Sequence, residues 1–331
     1  MKVLITGAAG FIGGFLAQYC REVGARVLGI DIRRPQDTAT VNEFELCDVR
    51  DSARLSGLIS KFKPQRIYHL AAQSYPVVSL ERPLETIDTN VGGTVNLFES
   101  LRATGIRPVV VVACSSAEYG LVAKRDLPVK EDHALCPLHP YGVSKVAQDL
   151  LAAQYFENYS ISAIRIRIFK TTGPGKLGDV CSDLTRRAVE IELGIRPPYM
   201  PVGNLANRRS IVDVRDLVQA LWASADNCKA GEVYNLGGDD VYSVQELIEL
   251  IRANVLISFE VEQRVELLRS GDEPITVGDN AKFRSYCTWA PRIRLATTLH
   301  DMLAWWRTRL RGSGAPASLT ESTQVYDLGS Y

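Results

Sequence analysis

Net charge is the first thing missing. Among 331 residues, 38 Lys and Arg face 38 Asp and Glu, a formal charge of +0. Without a basic excess the chain carries no electrostatic footprint for nucleic acid or an anionic membrane surface. No apolar run reaches the roughly 20 residues that cross a bilayer. The start, Met1-Lys2-Val3-Leu4-Ile5-Thr6-Gly7, enters a strand pattern without the apolar core of a signal peptide. Cys20, Cys47, Cys114, Cys136, Cys181, Cys228 and Cys287 show no Cys-x-x-Cys spacing and no Cys/His cluster. This argues against a metal site and suits reduced thiols in a cytoplasmic protein. No internal repeat is present. What remains is an ordinary soluble composition, 46% hydrophobic and 23% charged, at a length for one large domain or two joined ones.

The first pattern is an apolar run, Lys2 to Thr6, then Gly7-Ala8-Ala9-Gly10-Phe11-Ile12-Gly13, then a helical pattern through Phe15, Leu16 and Tyr19. Gly7 permits the tight turn, Gly10 lets backbone approach a pyrophosphate, and Gly13 lets helix and strand pack closely. A helix N-terminus there offers N–H groups and a positive dipole end to phosphate. A second strand ends at Asp31, 18 residues after Gly13 and close to the ~20 expected for the acid that binds an adenosine ribose. Asp31 favours NAD because its charge repels a 2′-phosphate. Arg33 and Arg34 follow at once and would welcome one, so NADP stays open.

A third strand pattern ends at Asp48-Val49. Asp48 suits either an adenine amino group or the cap of the next helix. A fourth strand ends in His69-Leu70-Ala71-Ala72, whose small residues leave room for a dinucleotide; His69 reads as packed rather than catalytic. A fifth, β-branched from Arg107 to Ser116, predicts a strand buried on both faces. It ends in Ser115-Ser116-Ala117-Glu118-Tyr119-Gly120. Carboxyl ends of strands are where open α/β sheets gather their sites, although serines in a turn also cap backbone groups. Downstream, Tyr141-Gly142-Val143-Ser144-Lys145 opens a helix and puts Tyr141 and Lys145 on one face. A cation beside a phenol favours the phenolate, so the phenol can exchange a proton with a sugar hydroxyl or ketone.

Taken together, Gly7-x-x-Gly10-x-x-Gly13, Asp31, Asp48-Val49, His69 to Ala72, Asn90-x-x-Gly93-Thr94, Ser115-Ser116 and Pro140-Tyr141-x-x-x-Lys145 resemble an extended short-chain dehydrogenase/reductase of the nucleotide-sugar class. The resemblance implies a Rossmann doubly wound parallel α/β sheet. It implies that Tyr141 is the acid/base, that Lys145 holds the nicotinamide ribose and lowers the Tyr141 pKa, and that Ser115 orients the reacting oxygen. Residues 1–169 form the dinucleotide-binding domain, with segments near 209–223 and 232–238 returning to it. Residues 170–310 are mainly a substrate lobe, and 311–331, small and polar, a disordered tail.

The second half is similar to the GDP-mannose branch, 4,6-dehydratases and 4-keto-6-deoxymannose reductases, through Gly173-Pro174-Gly175, Val202 to Leu205, Arg209-x-x-x-Asp213, Val233 to Gly238 and Leu268-Arg269-x-x-Asp272. By that resemblance Arg209 and Arg269 meet a diphosphate and Asp272 a ribose hydroxyl. Two positions depart from it. Where dehydratases carry a glutamate base, this chain has Ala117, with the acid displaced to Glu118. Where an asparagine follows the sixth strand, it has Lys170, either a substrate contact or a solvent-facing side chain. Ser116, Glu118 and Lys170 therefore join the expected substrate contacts. The expected activity is redox chemistry at C4 of a GDP-hexose, by a reductase, dehydrogenase or epimerase. A 4,6-dehydratase with an unusual base and a non-catalytic NAD(H) sensor are the competitors. The resemblance also suggests a homodimer through the Thr86 to Ala103 and Tyr141 to Asn158 helices.

Overall fold

The computed structural model describes residues 1–35, 37–268 and 275–312. They divide into two units. One comprises Met1–Phe169, Arg215–Gly237 and Gly278–Ala290; the other comprises Lys170–Val214, Gly238–Val277 and the described residues from Pro291. The first unit thus recovers Gly278–Ala290, which the sequence assigned to the substrate lobe. It does not include residues 209–214, which the sequence returned to the dinucleotide domain. Those lie in the strand Arg208–Asp213, which pairs in parallel with Lys170–Thr172 of the second unit.

In the first unit the strands are β1 (Lys2–Thr6), β2 (Arg26–Asp31), β3 (Glu43–Leu46), β4 (Arg66–His69), β5 (Val109–Ser115) and β6 (Ala163–Ile168), with Val233–Leu236 beside β6. The order across the sheet is Val233–Leu236, β6, β5, β4, β1, β2, β3. Every neighbouring pair is parallel. A parallel sheet covered by helices buries both faces of its inner strands, so apolar residues run on without alternation. Val3, Leu4 and Ile5 of β1 and Val110, Val111 and Val112 of β5 are all fully buried. The chain leaves β1 in one direction toward β2 and β3 and returns beyond it at β4. That reversal leaves a crevice at the carboxyl ends of β1 and β4.

Helices α1 (Phe11–Glu22), α2 (Ser52–Phe62), α3 (Pro76–Glu81), α4 (Pro83–Ile87), α5 (Gly93–Thr104) and α6 (Pro140–Tyr159) cover the sheet. Leu55 and Ile59 of α2, Leu97, Phe98 and Leu101 of α5 and Ala152 of α6 share one core cluster with Val110 and Val112. The cap of α2 is Asp51, which accepts from the Arg54 N–H at 2.9 Å. Asp48, three residues earlier, does not cap it.

The second unit holds Val241–Ser243, Arg208–Asp213 and Ile275–Thr276 in a small mixed sheet, with Tyr199–Val202 paired to Glu260–Gln263 separately. Its core joins Leu184 and Ala188, Leu247 and Ile251, and Leu299, Leu303 and Trp306. Ser243 caps the helix Val244–Arg252, accepting from the Glu246 N–H at 3.2 Å. The last helix runs Leu295–Gly312. Arg269, Asp272 and residues 313–331 lie outside the described residues. All seven cysteines are free thiols, five of them buried. Among the described residues no helix is long and apolar enough to cross a membrane.

Candidate active site

The cradle begins where β1 ends. Gly7 turns with φ +74°, and a Cβ there would lie 2.8 Å from the Ala71 nitrogen. A Cβ on Gly13 would stand 2.1 Å from the Gly7 carbonyl oxygen, inside contact distance with fixed backbone. The Gly10 N–H donates to the Gly7 oxygen at 3.0 Å, and Gly10 then caps α1 with no side chain over the helix end. Phe11 and Ile12 follow, half-buried, on the first turn. A glycine-walled turn leading into an uncapped helix N-terminus fits a pyrophosphate. At the end of β2, Asp31 accepts from the Ala9 N–H at 3.0 Å and the Arg33 N–H at 3.2 Å. Its carboxylate therefore braces the turn and sits at its rim, while Arg33 and Arg34 are exposed. Across the crevice, the Ala71 N–H donates to Thr6 Oγ at 3.1 Å, with Leu70, Ala71 and Ala72 half-buried.

We expect Gly13→Ala to weaken binding of NAD(H) at least tenfold, about 1.4 kcal/mol. Its Cβ must push the Gly7 carbonyl out of the turn. Fluorescence titration with NADH measures this, and wild-type affinity would remove the turn from the cofactor site.

Asp48 and Val49 are already engaged. Asp48 is 2.7 Å from Arg50, whose hydrogen bonding holds the carboxyl below the usual carboxylate range. Val49 is buried beneath α5, where Gly93 makes room: a Cβ there would lie 2.5 Å from Val49 Cγ2. His69 is a packed residue. Thr94 donates to Asn90 O at 2.6 Å and so accepts from His69 Nε2 at 3.0 Å; Nδ1 then accepts from Thr6 Oγ at 2.9 Å. Burial pushes the imidazole down to about 3, with Lys145 adding to the effect.

The reacting groups come from β5 and α6. His139 caps α6, its Nδ1 accepting from the Gly142 N–H at 3.0 Å, and Pro140 sets the first turn. The His139 and Tyr141 rings stack with centroids 5.9 Å apart. Ser144 Oγ donates to the Tyr141 carbonyl at 2.7 Å and accepts from Asn90 Nδ2 at 2.8 Å. Asn90 lies on a π-helical turn, Asp88–Gly92, and also holds the backbone of Gln73. Lys145 is buried, donates to the Ala113 carbonyl at 2.7 Å, and its Nζ lies 5.8 Å from the centre of the Tyr141 ring.

Burial raises the Tyr141 phenol to about 12, against the opposing pull of its hydrogen bond with Ser115. Burial also lowers the Lys145 ammonium from its ordinary value. The resemblance implied a Tyr141 pKa lowered by Lys145. In this protein desolvation dominates and the shift runs upward, so the phenol keeps its proton at neutral pH.

Glu118 departs from the expected substrate contact and from the replacement base. After β5 the chain makes a tight helical turn, Ser116–Glu118, which folds the carboxylate back beneath Ser115. Glu118 is 0% exposed. Its Oε1 accepts from the Ser115 N–H at 2.7 Å, and its Oε2 lies 3.1 Å from Arg167 Nε. Ser116 is half-buried, and its carbonyl accepts from the Tyr119 N–H at 3.1 Å. In the second unit, Arg209 is half-buried with Nη1 donating to the Arg208 carbonyl at 2.9 Å, and Lys170 is exposed.

His139, Ser144, Asp149 and Arg167 were not singled out from the sequence. For Asp149 and Arg167 a signal was present: Arg165 and Arg167 interrupt an otherwise apolar inner strand, Ala163–Ile168. Buried cations require buried acids.

The family model for GDP-mannose 4,6 dehydratase matches residues 4–302. GDP-6-deoxy-D-mannose reductase of Pseudomonas aeruginosa is 26% identical over 311 residues, covering 94% of this chain and 98% of that protein. A UDP-glucose 4-epimerase of Mycolicibacterium smegmatis is 30% identical, covering 93% and 99%. Among solved structures, RMD from Pseudomonas aeruginosa complexed with NADPH has a TM-score of 0.84 at 26% identity, covering 93% of this chain and 99% of that one. With the family model spanning both units, this chain belongs to the GDP-mannose 4,6 dehydratase family.

Proposed function

We propose that the protein is a nicotinamide-dependent reductase of the C4 ketone of a GDP-linked 6-deoxyhexose. The observation that carries the reading is the fate of the two positions after Ser116, neither of which presents a dehydratase base to the substrate. Ala117 has no ionisable group, and Glu118 is buried beneath Ser115. Without a carboxylate base to remove the proton beside the ketone, water has no route out of the sugar.

A bound nicotinamide supplies the hydride. The protein's own residues then complete the reduction. Ser115 donates a hydrogen bond to the carbonyl oxygen and orients it. Tyr141 delivers its proton to that oxygen as negative charge develops there. Lys145 would hold the nicotinamide ribose, with its ammonium the nearest cation to the Tyr141 ring. Arg209, with Arg269 and Asp272, meets the nucleotide diphosphate and ribose, and Lys170 the sugar. Asp31 supports NAD, whereas the Pseudomonas relative was solved with NADPH, so both belong in the assay.

The test starts from freshly purified protein without added cofactor. It is denatured, and any released nucleotide is identified by chromatography and mass. We expect an empty protein that then oxidises NADH or NADPH with GDP-4-keto-6-deoxymannose. Stoichiometric retained NAD, with no net turnover, would sink the reductase and favour a C4 epimerase. That second reading is supported by the UDP-glucose 4-epimerase relative at 30% identity. Conversion of GDP-mannose itself would revive the dehydratase, and binding without turnover would leave a sensor.

A homodimer is part of the same reading. Of the two helices expected to form it, α6 leaves Leu150 56% and Val143 47% exposed, whereas Leu97, Phe98 and Leu101 of α5 are buried within the chain. Sedimentation showing only monomer at micromolar concentration would remove it.

A further inference from the structure

Below Ser115 and Tyr141 lies a closed set of charged side chains. Arg167 on β6 points its Nε between two carboxylates, 3.1 Å from Glu118 Oε2 and 2.9 Å from Asp149 Oδ2. Both acids are 0% exposed. Arg167 Nη1 donates to Tyr119 Oη and to the Glu131 carbonyl, each at 2.9 Å, which fixes the guanidinium plane. Arg165 Nη1 holds the other Asp149 oxygen at 2.5 Å. Cys114 Sγ, Glu118 and Asp149 bring ligand atoms within 4.8 Å of one another, and the cation beside both carboxylates is the guanidinium.

The set links both carriers of the reacting groups. Asp149 is on α6, four residues after Lys145 and eight after Tyr141, in one stripe of the helix. Glu118 sits three residues after Ser115 and accepts its backbone N–H at 2.7 Å. We propose that Glu118 and Asp149 share one proton across this contact, and that the protonated pair fixes Ser115 against Tyr141, making Glu118 a positioning residue.

Glu118 Oε2 is buried without a hydrogen-bond partner beside Asp149. A proton on one of the two carboxyl groups would let that oxygen donate to or accept from its neighbour. Burial, with Asp149 adding to it, raises the Glu118 carboxyl to about 8, against the pull of Arg167. The ionisable neighbours are Cys114 on β5, Tyr141, Lys145 and Asp149 on α6, and Arg165 and Arg167 on β6 with Tyr119 beside them. Above about pH 8 the proton leaves. Adjacent carboxylates then repel, and the seat of Ser115 loosens well below the pH at which Tyr141 titrates.

Glu118→Gln tests this, because the amide imitates the protonated acid. This arm rests on the proposed reductase activity. Glu118→Ala should lower kcat at least tenfold with little change in KM, and Glu118→Gln should restore it to within about threefold at neutral pH. Wild-type kcat should fall as pH passes about 8, and Glu118→Gln should lack that fall. A second arm needs no substrate. Infrared spectra of wild type near neutral pH should show a protonated-carboxyl band that disappears in alkali and is absent from Glu118→Gln. A hundredfold loss in Glu118→Gln at neutral pH would make Glu118 a base and overturn the positioning role. Absence of the band would overturn the shared proton. A wild type inactive on every nucleotide-sugar would defeat the functional reading alone, since the infrared arm still decides the proton.

Discussion

Tyr141→Phe is expected to lower kcat by about 10²–10⁴, the range contributed by a positioned general acid. The substitution removes one oxygen and little else. The ring keeps its place against His139, 5.9 Å between centroids, and the His139 cap and the Ser144 brace act through backbone, not through the phenol. Cofactor affinity and thermal stability should therefore stay near wild type while turnover collapses. The direction of pH dependence follows from the phenol being raised to about 12. In the reducing direction the protonated form is the active one, so the rate should not rise with pH. Any alkaline loss near pH 8 belongs to Glu118. In the oxidising direction the phenolate is required, and the rate should climb with pH. Steady-state kinetics in both directions measures this, and a Tyr141→Phe enzyme with intact kcat would discard Tyr141 as the proton donor.

Local patterns carried much of this site. The glycine turn was legible because its constraints are short-range. Gly7, Gly10 and Gly13 answer to the backbone of residues 7, 8 and 71, and each position is one where a Cβ has a cost. Helical spacing put Tyr141 and Lys145 on one face, but only the motifs elsewhere in the chain gave the pair a meaning. Glu118 was not. Alternation along an extended chain sends residues 117 and 118 to opposite sides, but the chain is no longer extended there. The turn at Ser116–Glu118 closes through the Ser115 N–H, and what draws the carboxylate inward is Arg167, 49 positions away. The assignment of residues 209–214 went astray for a similar reason. Arg208–Asp213 reads like any strand, and only its pairing with Lys170–Thr172 assigns it to the second unit. The Tyr141 phenol shows the limit of pairwise reasoning about charge. A cation four residues along predicts a lowered pKa, whereas burial, invisible in the spacing, governs the outcome.

Arg167→Met should cost about 3–5 kcal/mol of folding stability, because it strips Glu118 of its ion pair and leaves buried Asp149 with Arg165 alone. Arg167 is 4% exposed and faces two acids that water does not reach. Methionine fills much of the volume, so the loss measures the charge rather than a cavity. The penalty should depend on pH with a definite sign. The Glu118 carboxyl is raised from its ordinary 4.5 to about 8 in the folded protein. The folded state thus binds more protons than the unfolded chain between those values, and stability from this group falls as pH rises through that window. Arg167 is the nearest charge pulling Glu118 down. Its removal should push the carboxyl higher and extend the alkaline loss. His69 works in the opposite sense: its imidazole, lowered to about 3, withdraws stability as pH falls below about 6.5. Urea unfolding near pH 7 and near pH 9 follows the Glu118 contribution alone, and a third measurement near pH 5 brings in His69. Adding Glu118→Gln to Arg167→Met should return part of the lost stability near pH 9, where the carboxyl is ionised, and little near pH 7, where it holds its proton. A loss under about 1 kcal/mol for Arg167→Met alone would mean that the acids are already neutral without it, and that the guanidinium is not what holds the floor of the site together.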